Sequence, residues 1–218
     1  GVWRGQSTWL IEQVCPEAKI LSIDINLENR NYISHNPNVT YSDIDFKYHD
    51  FSSYDPISTV CFFDDHINSF DRYQQMAFWG FRVGIFEDNY PNGQGDMLSI
   101  KHILNCGMPN FKVEKRKTIY ESLWGSLNRK KTYRKIEKYS DRLGTILSRN
   151  LSNYIEFPPI LKCESTRWGT NWSETYGDIA PIFESVEDVN KSYQNQVIDE
   201  AKFYTSICAL EFTWKNQT

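Results

Sequence analysis

Through its first hundred residues the chain alternates short, continuous apolar runs with polar or amphipathic stretches. Lys19-Ile20-Leu21-Ser22-Ile23-Asp24 reads as a buried strand ending on a carboxylate. Val60-Cys61-Phe62-Phe63 is a second such run, followed by Asp64-Asp65-His66, and Phe81 to Phe86 is a third, followed by Glu87-Asp88. A weaker strand ends at Tyr48-His49-Asp50-Phe51. Ahead of the first run a helix is expected through Trp9 to Val14, and between the second and third Phe70 to Trp79 carries apolar residues at helical spacing. Ser7-Thr8 is placed to cap the first helix, which ends before Pro16. Residues 29–37 form a polar stretch around a short helix. Strands separated by helical segments of about 10–20 residues predict an α/β fold, with a mostly parallel sheet and helices on its faces.

The second half is less regular. Residues 112–149 hold twelve Lys or Arg against four Asp or Glu, interleaved with Tyr120, Trp124, Tyr133 and Tyr139. This predicts a basic helical insertion over 112–150, either a solvated element or a lid over an anionic ligand. Pro158-Pro159 and the Trp-rich stretch Trp168-Gly169-Thr170-Asn171-Trp172 follow, then a last strand near Tyr204 to Phe212. The tryptophans could stack on a sugar ring or pack on the core. The whole of 1–218 reads as a single domain that contains the insertion.

Composition narrows the picture. At 218 residues, 40% hydrophobic and 24% charged, the chain can build a full core and is not of disordered type. No apolar run approaches the ~18 residues of a membrane span. A net charge of −4 argues against a general nucleic-acid binder. The five cysteines, at 15, 61, 106, 163 and 208, are odd in number and lack CxxC spacing. They read as reduced thiols of a cytosolic protein. Asn-x-Ser/Thr triplets at Asn38, Asn150, Asn171 and Asn216 follow from an Asn-rich composition.

Acidic residues recur at the carboxyl ends of the predicted strands: Asp24, Asp50, Asp64-Asp65 and Glu87-Asp88. Open α/β sheets bind ligands along that edge. The opening Gly1-Val2-Trp3-Arg4-Gly5-Gln6-Ser7-Thr8 places glycines before a helix N-terminus, and Asp24 follows some 20 residues later. This spacing fits an adenosine site in which the carboxylate accepts from the ribose hydroxyls. Carboxylates at the ends of adjacent strands repel one another, and a hard dication relieves that repulsion. His66 beside them is placed to take a proton. His35, His49 and His102 lack such company and read as structural.

Gly-Val-Trp-Arg-Gly-Gln-Ser-Thr, Ile-Asp-Ile, Phe-Phe-Asp-Asp-His-Ile-Asn and Ile-Phe-Glu-Asp-Asn-Tyr-Pro together resemble the class I S-adenosylmethionine-dependent methyltransferases. Among them the chain is most similar to the metal-assisted sugar O-methyltransferases, relatives of macrolide-sugar and rhamnosyl O-methyltransferases and of cephalosporin hydroxylase-like proteins. The match covers roughly residues 1–100. It implies a Rossmann-like methyltransferase fold and S-adenosylmethionine as cofactor. Gly1, Val2, Arg4, Gly5 and Ser7 would line the cofactor, with Gly1 and Gly5 at its methionine end. Asp24 would hold the ribose and Asp50 the adenine amino group. Asp64, Glu87 and Asp88 would bind Mg²⁺ or Mn²⁺, with the choice between Asp64 and Asp65 open. His66 would be the general base, with Asp65 beside it.

The chain context is also similar to methyltransferase domains that modify glycans in large algal viruses, where rhamnose is the acceptor. That similarity implies a carbohydrate acceptor and a cytoplasmic location, the host's for a viral protein. The resemblance also leads one to expect a central strand before Gly1, and upstream residues that include further catalytic domains such as glycosyltransferases. Three other readings stand beside it: the same fold with a catechol-like or antibiotic acceptor, a glycosyltransferase using a nucleotide sugar, and a non-catalytic glycan-binding module.

Overall fold

A computed structural model describes residues 2, 4–107, 109, 141–167, 169, 171–177 and 179–214. Most of the predicted basic insertion, residues 110–140, lies outside the described residues, as do Gly1 and Trp168. The protein is a mixed α/β structure that divides into two compact units, residues 1–55 with 63–65 and residues 56–62 with 66–218.

The first unit holds α1 (Gln6–Val14), β1 (Ile20–Ile23) and β2 (Val39–Ser42). β1 and β2 pair in parallel, from Ile20 opposite Val39 to Ile23 opposite Ser42. Helix α1 starts earlier than the sequence predicts. Its N-cap is Gly5, in the left-handed conformation (φ 92°), and Ser7 and Thr8 already lie in its first turn. Thr8 is instead buried, and its hydroxyl meets Ser22 Oγ of β1 at 2.8 Å, a polar tie between helix and strand. The helix ends at Val14, one residue short of Cys15-Pro16, as the proline requires. The weaker strand expected to end near Asp50 is absent from that position. The chain forms β2 earlier, then a single 3₁₀ turn, Phe46–Tyr48, capped by Asp45. Phe46 packs on Phe51 and Phe63, and these aromatic contacts shape the segment.

The second unit is built on a four-stranded sheet of order β3 (Val60–Phe63), β4 (Val83–Phe86), β6 (Ile207–Phe212), β5 (Leu151–Phe157). β6 runs antiparallel to both β4 and β5. The expected mostly parallel sheet is thus corrected to two separate sheets, one a parallel pair and the other carrying two antiparallel ladders. Residue periodicity reveals that a segment is a strand but carries no direction, so this was beyond the sequence pattern. Cys208, Leu210 and Phe212 alternate along β6 and are all buried.

α2 (Ser69–Trp79) is capped by Asn68, whose side chain accepts from Phe70 N–H, and closes on the left-handed Gly80. Its Met76 lies against Gly84 of β4, where a Cβ would come within 2.9 Å of the Met76 sulfur. Its Tyr73 ring packs on Phe212 and Trp214. α3 (Ile100–Leu104) meets the helix at 141–150, α4, so closely that a Cβ on Gly144 would sit 2.7 Å from the Ile103 carbonyl oxygen. Two further helices, α5 (Trp172–Tyr176) and α6 (Gln194–Phe203), precede β6. A second apolar cluster gathers Leu161, Val189, Val197 and Ala201. All five cysteines are unpaired thiols. Among the described residues no helix is long and apolar enough to cross a membrane.

Leu210 lies in the strand shared by both antiparallel ladders and is 1% exposed. Leu210→Ala is expected to cost about 2–5 kcal/mol of the second unit's stability, read by urea denaturation.

His102 gives a pH prediction. It is fully buried at the third position of α3; its Nδ1 accepts from Ser99 N–H at 3.1 Å, and its Nε2 donates to the Pro91 carbonyl at 2.8 Å. The bond at Nδ1, which accepts, requires the neutral ring, and burial holds its pKa below the ordinary 6.5. The unfolded chain therefore takes up a proton that the folded one refuses. This contribution to stability is complete above about pH 6.5 and is lost as pH falls through the folded value. Urea midpoints measured from pH 8 to 5 should decline, and His102→Asn should flatten the decline.

Candidate functional site

In the first unit the opening loop and the end of β1 come together. Asp24, immediately after β1, accepts Val2 N–H on Oδ2 at 2.8 Å and Asn26 N–H on Oδ1 at 2.9 Å. Val2 is buried, and Arg4 offers its carbonyl to the N–H groups of Asn31 and Tyr32. Gly5 is required by its surroundings: a Cβ there would stand 2.6 Å from the Tyr32 carbonyl oxygen, in a backbone region that favours glycine. Ser7 is partly buried in the first turn of α1. Asp50 is elsewhere in character. It sits in an exposed turn, its Oδ1 accepting Ser52 N–H at 2.9 Å, and these bonds with Ser52 hold its carboxyl below the usual range. Asp64 and Asp65, both partly buried, follow β3 and group with this unit.

In the second unit His66, three residues after β3, meets Asp88, two residues after β4. The His66 Nδ1 atom lies 3.5 Å from Asp88 Oδ2 and 3.5 Å from Asp96 Oδ1. The carboxylates differ in environment: the Asp88 side chain is 6% exposed and that of Asp96 70%. Two carboxylates facing Nδ1 favour the tautomer with the proton there, which makes Nε2 the basic nitrogen. Tyr90 hydrogen-bonds the Asp88 side chain, and burial together with that bond pushes its phenol up. Glu87 is partly buried between β4 and Asp88.

The backbone here is strained. Among the described residues only four non-glycines have positive φ, and three meet at this place: His66 (50°), Asp88 (58°) and Ser206 (73°), whose carbonyl accepts Asn89 N–H at 2.9 Å. Such conformations cost roughly 1–2 kcal/mol each and persist where surrounding bonds over-determine them. Those bonds come from α3. Its N-cap Ser99 donates from Oγ to the Tyr90 carbonyl at 2.8 Å, its Lys101 N–H reaches Asn89 Oδ1 at 2.8 Å, and its His102 holds the Pro91 carbonyl.

No family model, curated protein or solved structure matches the chain.

Among the described residues no group of three or more His, Cys, Asp or Glu side chains is arranged to hold a metal ion. Asp88 is instead turned to His66 and Tyr90. The Trp-rich stretch resolves in part. Trp172 is buried, packs at a 53° tilt on Tyr176 with centroids 4.8 Å apart, and donates its indole N–H to the Ile179 carbonyl at 3.1 Å, so it is a packing residue. His102 serves α3, and His49 bonds the Ile44 carbonyl.

Sequence reasoning missed Asn89, Tyr90, Asp96 and Lys101. The first two lie inside the Glu-Asp-Asn-Tyr-Pro run, and a polar residue next to strand-end acids was the available signal. Gly95 was missed as well. It is left-handed (φ 74°), and a Cβ there would fall 2.1 Å from the Tyr90 ring. Gly95→Ala is expected to cost about 2 kcal/mol or more by displacing that ring, measured as a lowered urea midpoint.

Proposed function

We propose that the protein is an S-adenosylmethionine-dependent O-methyltransferase that methylates a sugar hydroxyl, with a deoxyhexose such as rhamnose as the acceptor class. The observation that carries this reading is the His66–Asp88 pair, held in left-handed backbone beyond the neighbouring strands β3 and β4. Strand ends of α/β sheets are where loops converge on ligands. The pair is a proton acceptor backed by a nearly buried carboxylate.

Bound S-adenosylmethionine would supply a methyl group made electrophilic by its sulfonium. The acceptor hydroxyl must lose its proton as the new C–O bond forms. His66 takes that proton on Nε2, and Asp88, with Asp96 on the exposed side, stabilises the imidazolium through Nδ1. The C–S bond breaks as the methyl moves, and the proton leaves with solvent after release. Support for the cofactor comes from the first unit: Asp24 is oriented by two backbone N–H groups at the end of β1, as a carboxylate reading vicinal ribose hydroxyls needs to be. A divalent ion would need oxygen ligands gathered at one point; the described side chains form no such group, and this proton transfer does not call on one.

The test is mass-spectrometric detection of methyl addition to a panel of deoxyhexose acceptors. The full chain should methylate at least one. His66→Ala should lower turnover by ~10²–10⁴-fold while calorimetric binding of S-adenosylhomocysteine is unchanged. Absence of transfer to every acceptor, with heat of binding for nucleoside diphosphates instead, would replace the reading by glycosyl transfer.

A further inference from the structure

Asn89 stands immediately beyond Asp88 and is fully buried. A buried amide is costly unless its donors and acceptors are satisfied. Asn89 meets that demand through three different parts of the second unit. Its backbone N–H donates to the Ser206 carbonyl at 2.9 Å, just before β6. Its Nδ2 donates to the Tyr154 hydroxyl of β5 at 2.9 Å, and its Oδ1 accepts Lys101 N–H of α3 at 2.8 Å. That last bond also satisfies one of the N–H groups that a helix start leaves without a partner inside the helix.

The chain of bonds continues. The Tyr154 hydroxyl donates to Glu156 Oε1 at 2.5 Å, and Lys101 Nζ pairs with Glu156 Oε2 at 2.7 Å, both charged groups being largely buried. Lys101 therefore enters the network twice, through its backbone and through its ammonium. The result is a closed ring of contacts, Asn89–Tyr154–Glu156–Lys101–Asn89. A ring of this kind fixes the residue it contains in every direction. Asp88, one residue earlier, has the left-handed backbone and the carboxylate that faces His66.

We infer that Asn89 is a positioning residue, which with the Tyr154–Glu156–Lys101 ring holds Asp88 in its left-handed conformation so that its carboxylate is presented to the His66 ring. This rests on the proposed role of His66 and Asp88, and it names the groups that make their alignment durable. No part of the ring touches the reacting hydroxyl. Its effect is on the aim of Asp88, and a misplacement of about 1 Å at a reacting centre can cost ~10²-fold in rate.

The experiment reads His66 itself. In full-length protein with ¹⁵N-labelled histidine, long-range ¹H–¹⁵N spectra at fixed pH 8 report which ring nitrogen carries the proton. The background is Asp96→Asn, which removes the exposed second carboxylate and leaves Asp88 facing Nδ1. There the ring should show the Nδ1–H form, and Asn89→Ala should move it toward the Nε2–H form that imidazole prefers without a partner. In the activity assay Asn89→Ala should lower kcat by ~10–100-fold with the cofactor KM unchanged. Should Asn89→Ala fail to fold by circular dichroism, Tyr154→Phe, which removes only the hydroxyl between Asn89 and Glu156, is read in the same way. Unchanged His66 spectra in a folded Asn89→Ala protein, or in Tyr154→Phe where that variant is the one read, overturn the proposal. The spectra need neither cofactor nor acceptor, so they decide the positioning role even if the methyl-transfer assay is blank.

Discussion

The hold of α3 on the loop after β4 is the contact on which the rest of the second unit's candidate site depends. Three successive residues of that loop, Asn89, Tyr90 and Pro91, are bonded by the side chain or backbone of Lys101, Ser99 and His102. A five-residue helix has little intrinsic stability. Its start is secured here because the N–H groups at its head and the carbonyls of the loop satisfy each other. Helix and loop are therefore one object. The His102 ring and the Ser99 hydroxyl each supply one of the three bonds that hold the loop, and the left-handed Asp88 stands next to it.

Strain and burial work together at this point. Asp88 has an unfavourable φ, a nearly buried carboxylate and two polar neighbours in His66 and Tyr90. A buried carboxylate without compensation would take up a proton or move to water. The surrounding bonds forbid the movement, so the carboxylate is compensated by donors where it stands. Packing of Gly95 on the Tyr90 ring closes the same space from another side. An exposed acid in a relaxed turn, such as Asp50, has none of these features, and its ordinary turn bonding to Ser52 shows the contrast.

Much of the element list was legible because burial writes itself into short apolar runs. β1, β3, α2 and β4 fall within a residue or two of the expected positions, and β6 starts three residues later than expected. What failed had a tertiary cause. Thr8 looked like a cap because Ser and Thr favour that place, but its hydroxyl found Ser22 across the helix–strand contact, and Gly5 took the cap. Asp50 was expected at the end of a weaker strand, yet the segment is a turn in which Phe46 packs on Phe51. The insertion of β6 between β4 and β5 joins segments fifty or more residues apart, and no local pattern encodes such a neighbour. The site itself was half legible: His66 and Asp88 were visible as strand-end residues, whereas Asn89 acquires its meaning only from Tyr154, Lys101 and Ser206, far away in the chain.

Gly5 of the opening loop has a structural reason of its own. Spacing alone made Gly5 look like a residue kept small for a ligand. The Tyr32 carbonyl already occupies the space a side chain would need, and the left-handed cap of α1 already demands glycine. Gly5 is thus accounted for without a cofactor, and its presence adds nothing to the nucleoside reading. Asp24 is different. Nothing about ending a four-residue strand requires an acid there, and capping Asn26 N–H would be done as well by Asn or Ser. What distinguishes it is the second bond, from Val2 N–H, which draws the opening loop onto one oxygen while the other faces the turn after β1. A carboxylate that joins two loops at a strand end has its plane set by the backbone, and it is this orientation, rather than the glycine spacing, on which the proposed nucleoside contact rests.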